Sequence, residues 1–252
     1  MRGLIDHPAV LSALAFVAMW LASVAGLWLR DRRQQGGDKR SEDFGVVVAE
    51  TLTLLALIIG FTFSMATNRY DQRKTFEEAE ANAIGTEFLR ADLLPPANAA
   101  AVRSLLVAYL DQRILFYTQI DQSQLAQINR RTIQLQAALW AAVRPASAPP
   151  TPATALTLAG MNDVINSSGY TQAALWNRIP TESWALMVAI ALCGNVLLGY
   201  GSRSAKPTAL SFVLPLTVSI SFLLIADIDA PRHGLIRVNP ENLISLAQSL
   251  GR

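Results

Sequence analysis

Four stretches of this 252-residue chain are so apolar that water cannot be their solvent. A helix crossing the ~30 Å hydrocarbon core of a bilayer needs about 20 mostly apolar residues. The first stretch runs from about Pro8 to Leu29, with no charge between Asp6 and Arg30. The second runs from about Phe44 to Thr67 and holds one charge, Glu50. The third, about Trp184 to Tyr200, is short but charge-free after Glu182. The fourth runs from about Ala209 to Ala226, with Pro215 in its middle and Asp227 and Asp229 at its end. Backbone polar groups in lipid must be satisfied within their own segment, so stretches of this kind are helices. The sequence therefore predicts an all-α polytopic membrane protein with about four transmembrane helices.

Composition agrees and excludes other classes. Apolar residues make up 52% of the chain and charged residues 16%, against roughly 25% charged in an average soluble domain. Disorder requires low hydrophobicity and high net charge. The single cysteine, Cys193, has no partner for a disulfide and reads as a small buried hydrophobe of the third span. A formal charge of +2 is too small to argue for nucleic acid. The first stretch could be a signal peptide, since Ser23-Val24-Ala25 resembles a cleavage site. Its apolar run, however, continues to Leu29 and stops at Arg30, Arg32 and Arg33, as an uncleaved anchor does.

Orientation is read from flanking cations. The connections 30–43 and 201–208 carry Arg30, Arg32, Arg33, Lys39, Arg40, Arg203 and Lys206. The opposite side carries Arg2, Arg69, Arg73, Lys74, Arg178, Arg232 and Arg237. The first set is the denser, which favours both short loops in the cytoplasm of a multi-pass inner-membrane protein. The crowding of Arg69, Arg73 and Lys74 at one helix end argues the reverse.

Residues 68–181 are too long for a loop and contain no further span. Asn68 to Leu94 is rich in Ala, Glu, Leu and Arg, and no breaker separates it from Thr67, so the second helix continues out of the bilayer for roughly 40 Å. Pro95-Pro96 ends it. From Ala97 to about Arg144, Val102, Leu105, Leu106, Tyr109, Leu110, Ile114 and Tyr117 recur at three- and four-residue spacing, as a buried stripe requires. Ile128, Leu135, Leu139 and Trp140 continue it, with a break at Asp121-Gln122-Ser123 where Asp121 or Ser123 would cap a new helix. A further helix is expected from Thr154 to about Asn177, and Thr181 or Ser183 would cap the third span. The expected organisation is a first helix pair at 1–67 and an extramembrane stalk or bundle at 68–181 with a Pro-rich linker at 145–152. A second pair follows at 182–228, then a tail at 229–252.

The sequence holds no recognisable catalytic or metal-binding constellation. His7 and His233 lie at opposite ends of the chain, and there is no phosphate-cradling loop, HExxH or CxxC. No cofactor, metal or catalytic residue is expected. The intramembrane polar groups say more. Glu50, Thr53, Leu57, Gly60, Ser64 and Thr67 share one helical face. This is either a close helix–helix contact or a wetted face lining a pore, and a carboxylate in lipid weighs toward the second. Ser211, Pro215 and Ser219 form a matching stripe in the fourth span. Pro215 either kinks the helix or frees a carbonyl for a neighbour or an ion. Asp227 and Asp229 beside Arg232 and Arg237 read as an interfacial salt bridge, an ion-attracting mouth or a contact with the stalk.

Several ordered motifs resemble the bacterial bestrophin-like membrane family. They are Gly60-Phe61-Thr62-Phe63-Ser64-Met65-Ala66 with Arg69-Tyr70-Asp71 and Arg73, then Glu80-Ala81-Asn82-Ala83-Ile84-Gly85-Thr86 and Leu89-Arg90-Ala91-Asp92-Leu93-Leu94. Gly199-Tyr200-Gly201, Asp227-Ile228-Asp229 and Pro231-Arg232 through Gly234-Leu235-Ile236-Arg237-Val238 fit as well. The resemblance marks Arg69, Tyr70, Arg73, Glu80, Asn82, Gly85, Arg90, Asp227, Asp229, Arg232 and Arg237 as mouth or structural residues. It implies a homo-oligomer in the lipid bilayer passing small ions, with the large inter-span region in the cytoplasm, opposite to the loop-charge reading. It carries no acidic calcium clasp comparable to that of true bestrophins. The alternative is a non-conducting scaffold or sensor that binds a partner through its extramembrane helices.

Overall fold

A computed structural model describes residues 7–34, 42–144, 151–202 and 210–251. Arg2, the Arg33 side chain, Lys39, Arg40, Arg203, Lys206 and linker residues 145–150 lie outside them. All regular structure among the described residues is helical. The elements are α1 (Pro8–Gln34), α2 (Glu42–Arg90), a 3-10 turn (Ala91–Leu93), α3 (Pro96–Thr118) and α4 (Gln122–Val143). They continue with α5 (Pro152–Trp176), α6 (Thr181–Gly201), α7 (Leu210–Asp229) and α8 (Glu241–Ser249). Four helical stretches are long and apolar enough to cross a membrane, within Pro8–Arg32, Phe44–Leu93, Pro152–Gly201 and Ser211–Asp229. The chain divides into two compact units, Met1–Arg69 with Arg178–Arg237, and Tyr70–Asn177 with Val238–Arg252.

In the first unit, residue pairing gives the helix directions. The Ser23 hydroxyl donates to the Asn195 carbonyl at 3.3 Å and Arg30 Nη1 donates to the Ser202 carbonyl at 2.8 Å, so α1 and α6 run parallel. The Ser12 hydroxyl donates to the Ser219 carbonyl at 2.9 Å, and Trp20 stacks on Phe212 with ring centroids 6.0 Å apart. Rising numbers on α1 thus meet falling numbers on α7, and the two are antiparallel. Phe44 meets Tyr200 while Thr51 and Leu52 reach Gly194, which makes α2 antiparallel to α6. This alternation is what four consecutive membrane crossings produce.

The α1–α6 contact is main chain against main chain. A Cβ placed at Gly26 would overlap the Val196 carbonyl oxygen, and one at Gly199 would overlap the carbonyl oxygen of Ser23. Small residues let helices in lipid approach closely, where dispersion and polar contacts replace a hydrophobic driving force. Met19, Leu27, Met187, Ala191 and Phe222 fill the rest of this core, with the Trp184 ring edge-on to Phe222 at 6.0 Å. Cys193 is exposed, contrary to its reading as a buried hydrophobe. The buried face of α6 is set by Trp184, Met187, Ala191, Gly194 and Asn195, and position 193 falls off it.

The second unit has a conventional apolar core. Ala81 and Ile84 from α2, Val102, Leu106, Tyr109 and Leu110 from α3, Leu135, Leu139 and Val143 from α4, Met161 and Val164 from α5, and Leu243 from α8 enclose it. The break between α3 and α4 is capped by Asp121, whose carboxylate accepts the N–H groups of Ser123 at 2.7 Å and Gln124 at 3.2 Å. Hydrogen bonds from the Ser123 hydroxyl and these amides hold the Asp121 carboxyl below its ordinary pKa. Helix α5 begins two residues earlier than expected because Thr151 and Thr154 form a reciprocal capping box. Helix α6, by contrast, has no hydroxyl cap from Thr181 or Ser183; the Pro180 carbonyl accepts the first amides instead. The expected tail contains a helix, α8, whose N-terminus is capped by a residue of α2 described below.

Gly199→Val should leave little monodisperse protein in detergent. Overpacking costs about 1–3 kcal/mol where side chains can shift, and here the obstacle is main chain. Gly60→Ala, at a helical position with open space around it, should elute unchanged and unfold at the same or a higher temperature, because alanine is favoured over glycine by about 1 kcal/mol.

Candidate functional site

The second span is the least covered helix of its unit. Only 6% of its apolar window is buried by the chain, against 22% for α1 and 44% for α7. Its buried line is Leu55, Thr62 and Ala66. Glu50, Thr53, Leu57, Gly60 and Ser64 are exposed, and Thr67 is half-buried. The hydroxyls of Thr53 and Thr67 donate back to the carbonyls of Ala49 at 2.8 Å and Phe63 at 3.1 Å. They are therefore satisfied within the helix, while an oxygen lone pair stays on the exposed face. Phe61 and Phe63 are exposed beside them. Among the described residues, no atom outside its own stretch of helix lies within 4 Å of where a Cβ at Gly60 would stand, so no contact there requires a glycine.

The fourth-span stripe is placed differently. Pro215 and Ser219 are buried, Ser219 accepting from Ser12 of α1, and Ser211 is half-buried. At the end of α7 the two oxygens of the buried Asp227 accept the amides of Leu235 at 2.7 Å and Ile236 at 2.8 Å. Asp229 accepts the Ile179 amide at 3.0 Å. The Asp227 carboxylate thus shapes a turn, and Leu235 stands 93% exposed on it. Arg237 is exposed, with Nη1 3.5 Å from the Arg232 carbonyl. Arg69 and Tyr70 are half-buried and Arg73 is buried. His7 and His233, far apart in sequence, stand with ring centroids 6.3 Å apart. Among the described residues no group of three or more His, Cys, Asp or Glu could hold a metal ion.

Charge is concentrated along α2 in the second unit, where Glu77, Glu80 and Glu87 are all buried on one face. Glu77 accepts the Leu243 amide at 3.0 Å and the Asn242 side chain at 2.6 Å, supplying the cap of α8 from outside that helix. Glu80 pairs with Arg113 of α3, accepting from Nε and Nη2, and also accepts the Tyr117 hydroxyl at 3.4 Å and the Thr171 hydroxyl at 3.2 Å. Burial opposes the Arg113 charge, but Glu80 outweighs it and raises the guanidinium pKa. Burial, then the charge of Glu80, pushes both Tyr109 and Tyr117 up. Glu87 has no hydrogen-bond donor on either oxygen among the described residues, and Arg90 Nη1 lies 3.9 Å away. Burial raises its pKa from 4.5 to about 7, with Arg90 opposing and Asp163 adding to the shift. Asn82 is exposed, and Gly85 makes room for Leu246 of α8.

Glu77, Glu87, Arg113, Tyr117 and Thr171 were not singled out from the sequence as polar site residues. Arg113 carried a signal: it sits three and four residues from Leu110 and Tyr109 in the buried stripe, where a cation demands a buried carboxylate.

Helices antiparallel in succession, with a span left bare on one face, define a polytopic helical membrane protein. The chain belongs to the bestrophin-like family: the model of the bestrophin-like domain matches residues 10–243. Its fold is similar to that of a bacterial bestrophin homologue from Klebsiella pneumoniae. One variant of that protein gives a TM-score of 0.69 at 14% identity, covering 96% of this chain and 99% of that one. A second structure of it, phased on zinc, gives 0.65 at 14%, covering 94% and 98%. A structure described only as a membrane protein gives 0.68 at 13%, covering 95% and 97%. No curated protein matches.

Arg113→Met should lower stability by about 3–5 kcal/mol, since it strands the Glu80 charge in the core. Adding Glu80→Leu should recover much of the loss, as a double-mutant cycle on thermal unfolding would show.

Proposed function

We propose that this chain is one subunit of a homo-oligomeric, bestrophin-type passive ion pathway in the bacterial inner membrane, lined by the exposed face of α2. The observation that carries this reading is the coincidence of two properties on one face. That face is the part of the span left bare by the described residues, and it holds Glu50, Thr53, Gly60 and Ser64, with the half-buried Thr67 at its edge. Lipid is a poor occupant, because a carboxylate facing hydrocarbon costs several kcal/mol. Copies of the same helix arranged about an axis would instead turn the face toward water, and membership of the bestrophin-like family supports that arrangement. Within it, Glu50 forms an acidic ring, which favours cations, although the bestrophins for which the family is named are anion channels. Ser211, Pro215 and Ser219 serve helix packing, and Asp227 and Asp229 shape the end of α7. Arg69, Tyr70 and Arg73 follow the lined stretch on the same helix as candidates for its mouth.

A second reading, a scaffold that binds another protein, has one observation in its favour. Trp176, Leu89 and Ile133 of the second unit are 76%, 70% and 64% exposed.

Purified protein in planar bilayers should conduct, and Glu50→Gln should lower the cation-to-anion permeability ratio several-fold at unchanged expression. An absence of conductance under every gradient and pH would falsify the channel reading. Retention of a specific protein partner by that silent preparation would support the scaffold.

A further inference from the structure

The row of carboxylates on α2 contains one member whose environment differs from its neighbours. Glu77 receives an amide and a side-chain N–H, and Glu80 receives a guanidinium and two hydroxyls. Glu87 is as deeply buried as Glu80, at 0% exposure, yet neither oxygen has a hydrogen-bond donor among the described residues. Its carboxyl lies against Gly160 of α5 so closely that a Cβ there would overlap Oε2. The same Cβ would overlap Arg90 Nη1. The cradle is therefore shaped around the carboxyl group, and what favours its charge there is Arg90 at 3.9 Å, without a hydrogen bond.

We propose that Glu87 is a proton-binding site, its carboxyl sealed between α2 and α5 at Gly160, so that the packing of these two helices follows pH.

The charges facing it are few. On α2, Arg90 is 3.9 Å away without a hydrogen bond and is itself partly exposed, so solvent screens it. On α5, Asp163 is exposed and its negative charge opposes ionisation of Glu87. Gly160 contributes no side chain. On α3, Arg103 is engaged by Asp92 and donates to the Phe88 carbonyl at 3.5 Å. A buried acceptor without a donor is costly and a buried charge more so. Taking up a proton removes the charge. Burial accordingly moves the group from 4.5 toward about 7.

The sign of the effect is fixed by linkage. The unfolded chain releases this proton near the ordinary glutamate value, while the folded chain retains it to near neutrality. Stability therefore falls as pH rises from about 4.5 to about 7 and levels off above that.

The test uses full-length protein in detergent, with apparent unfolding temperatures measured from pH 5 to 8. Wild type and Glu87→Gln should coincide at pH 5, and the wild type should unfold at the lower temperature by pH 8. A constant separation across the range overturns the proposal. Should Glu87→Gln fail to fold, two further variants decide. Arg90→Gln should shift the wild-type stability transition to higher pH and Asp163→Asn to lower pH. A transition that neither variant moves overturns it equally.

Discussion

One uninterrupted hydrogen-bond ladder, the 49 residues of α2, governs the organisation of this chain. Helix propagation adds a bond for each residue fixed, so a helix ends only where a breaker or a better local partner intervenes. Between Thr67 and Asn68 there is neither. The same helix therefore supplies a bare apolar face to the first unit and a row of buried carboxylates to the second. It stops where the 3-10 turn Ala91–Leu93 and Pro95 deny further backbone bonds.

The two units are held together internally by different physics. In the first, the closest contacts are backbone on backbone, at Gly26 and Gly199, with single hydroxyl-to-carbonyl bonds from Ser12 and Ser23. In the second, aliphatic packing around Leu106, Leu139 and Met161 does most of the work. Polar groups enter that core only with partners, as Arg113 does with Glu80. Glu87 has Arg90 at 3.9 Å but no hydrogen-bond donor among the described residues, and that is what makes it responsive.

Local features of the sequence were legible where the cause was local. The break at Asp121 is set by a side chain reaching amides two and three residues away, and the continuity of α2 by the absence of a breaker. Features set by distant contacts were not legible. Helix α8 has nine residues, too few to stand on propensity, and its cap comes from Glu77 of α2. The parallel register of α1 and α6 depends on notches at Gly26 and Gly199 that look no different from Gly60 in the sequence. His7 and His233 were read as separate because sequence distance is no guide to spatial distance. For the candidate site, spacing was enough to assemble the Glu50–Thr67 face on one side of α2. Whether that side meets a helix of the same chain was beyond spacing, because it depends on which faces α1, α6 and α7 choose.

The α1–α6 seam has a consequence for how this chain can vary. Its tolerance is nearly zero at Gly26 and Gly199, where any added carbon strikes a carbonyl, and those positions belong to helices other than α2. On the bare face of α2, by contrast, Glu50, Thr53, Gly60 and Ser64 are exposed among the described residues. Within one copy, a change there from acidic to neutral meets no packed neighbour of the kind that Gly26 and Gly199 meet. The architecture thus separates the residues on which the packing of a single copy depends from those of the face proposed to line the pathway.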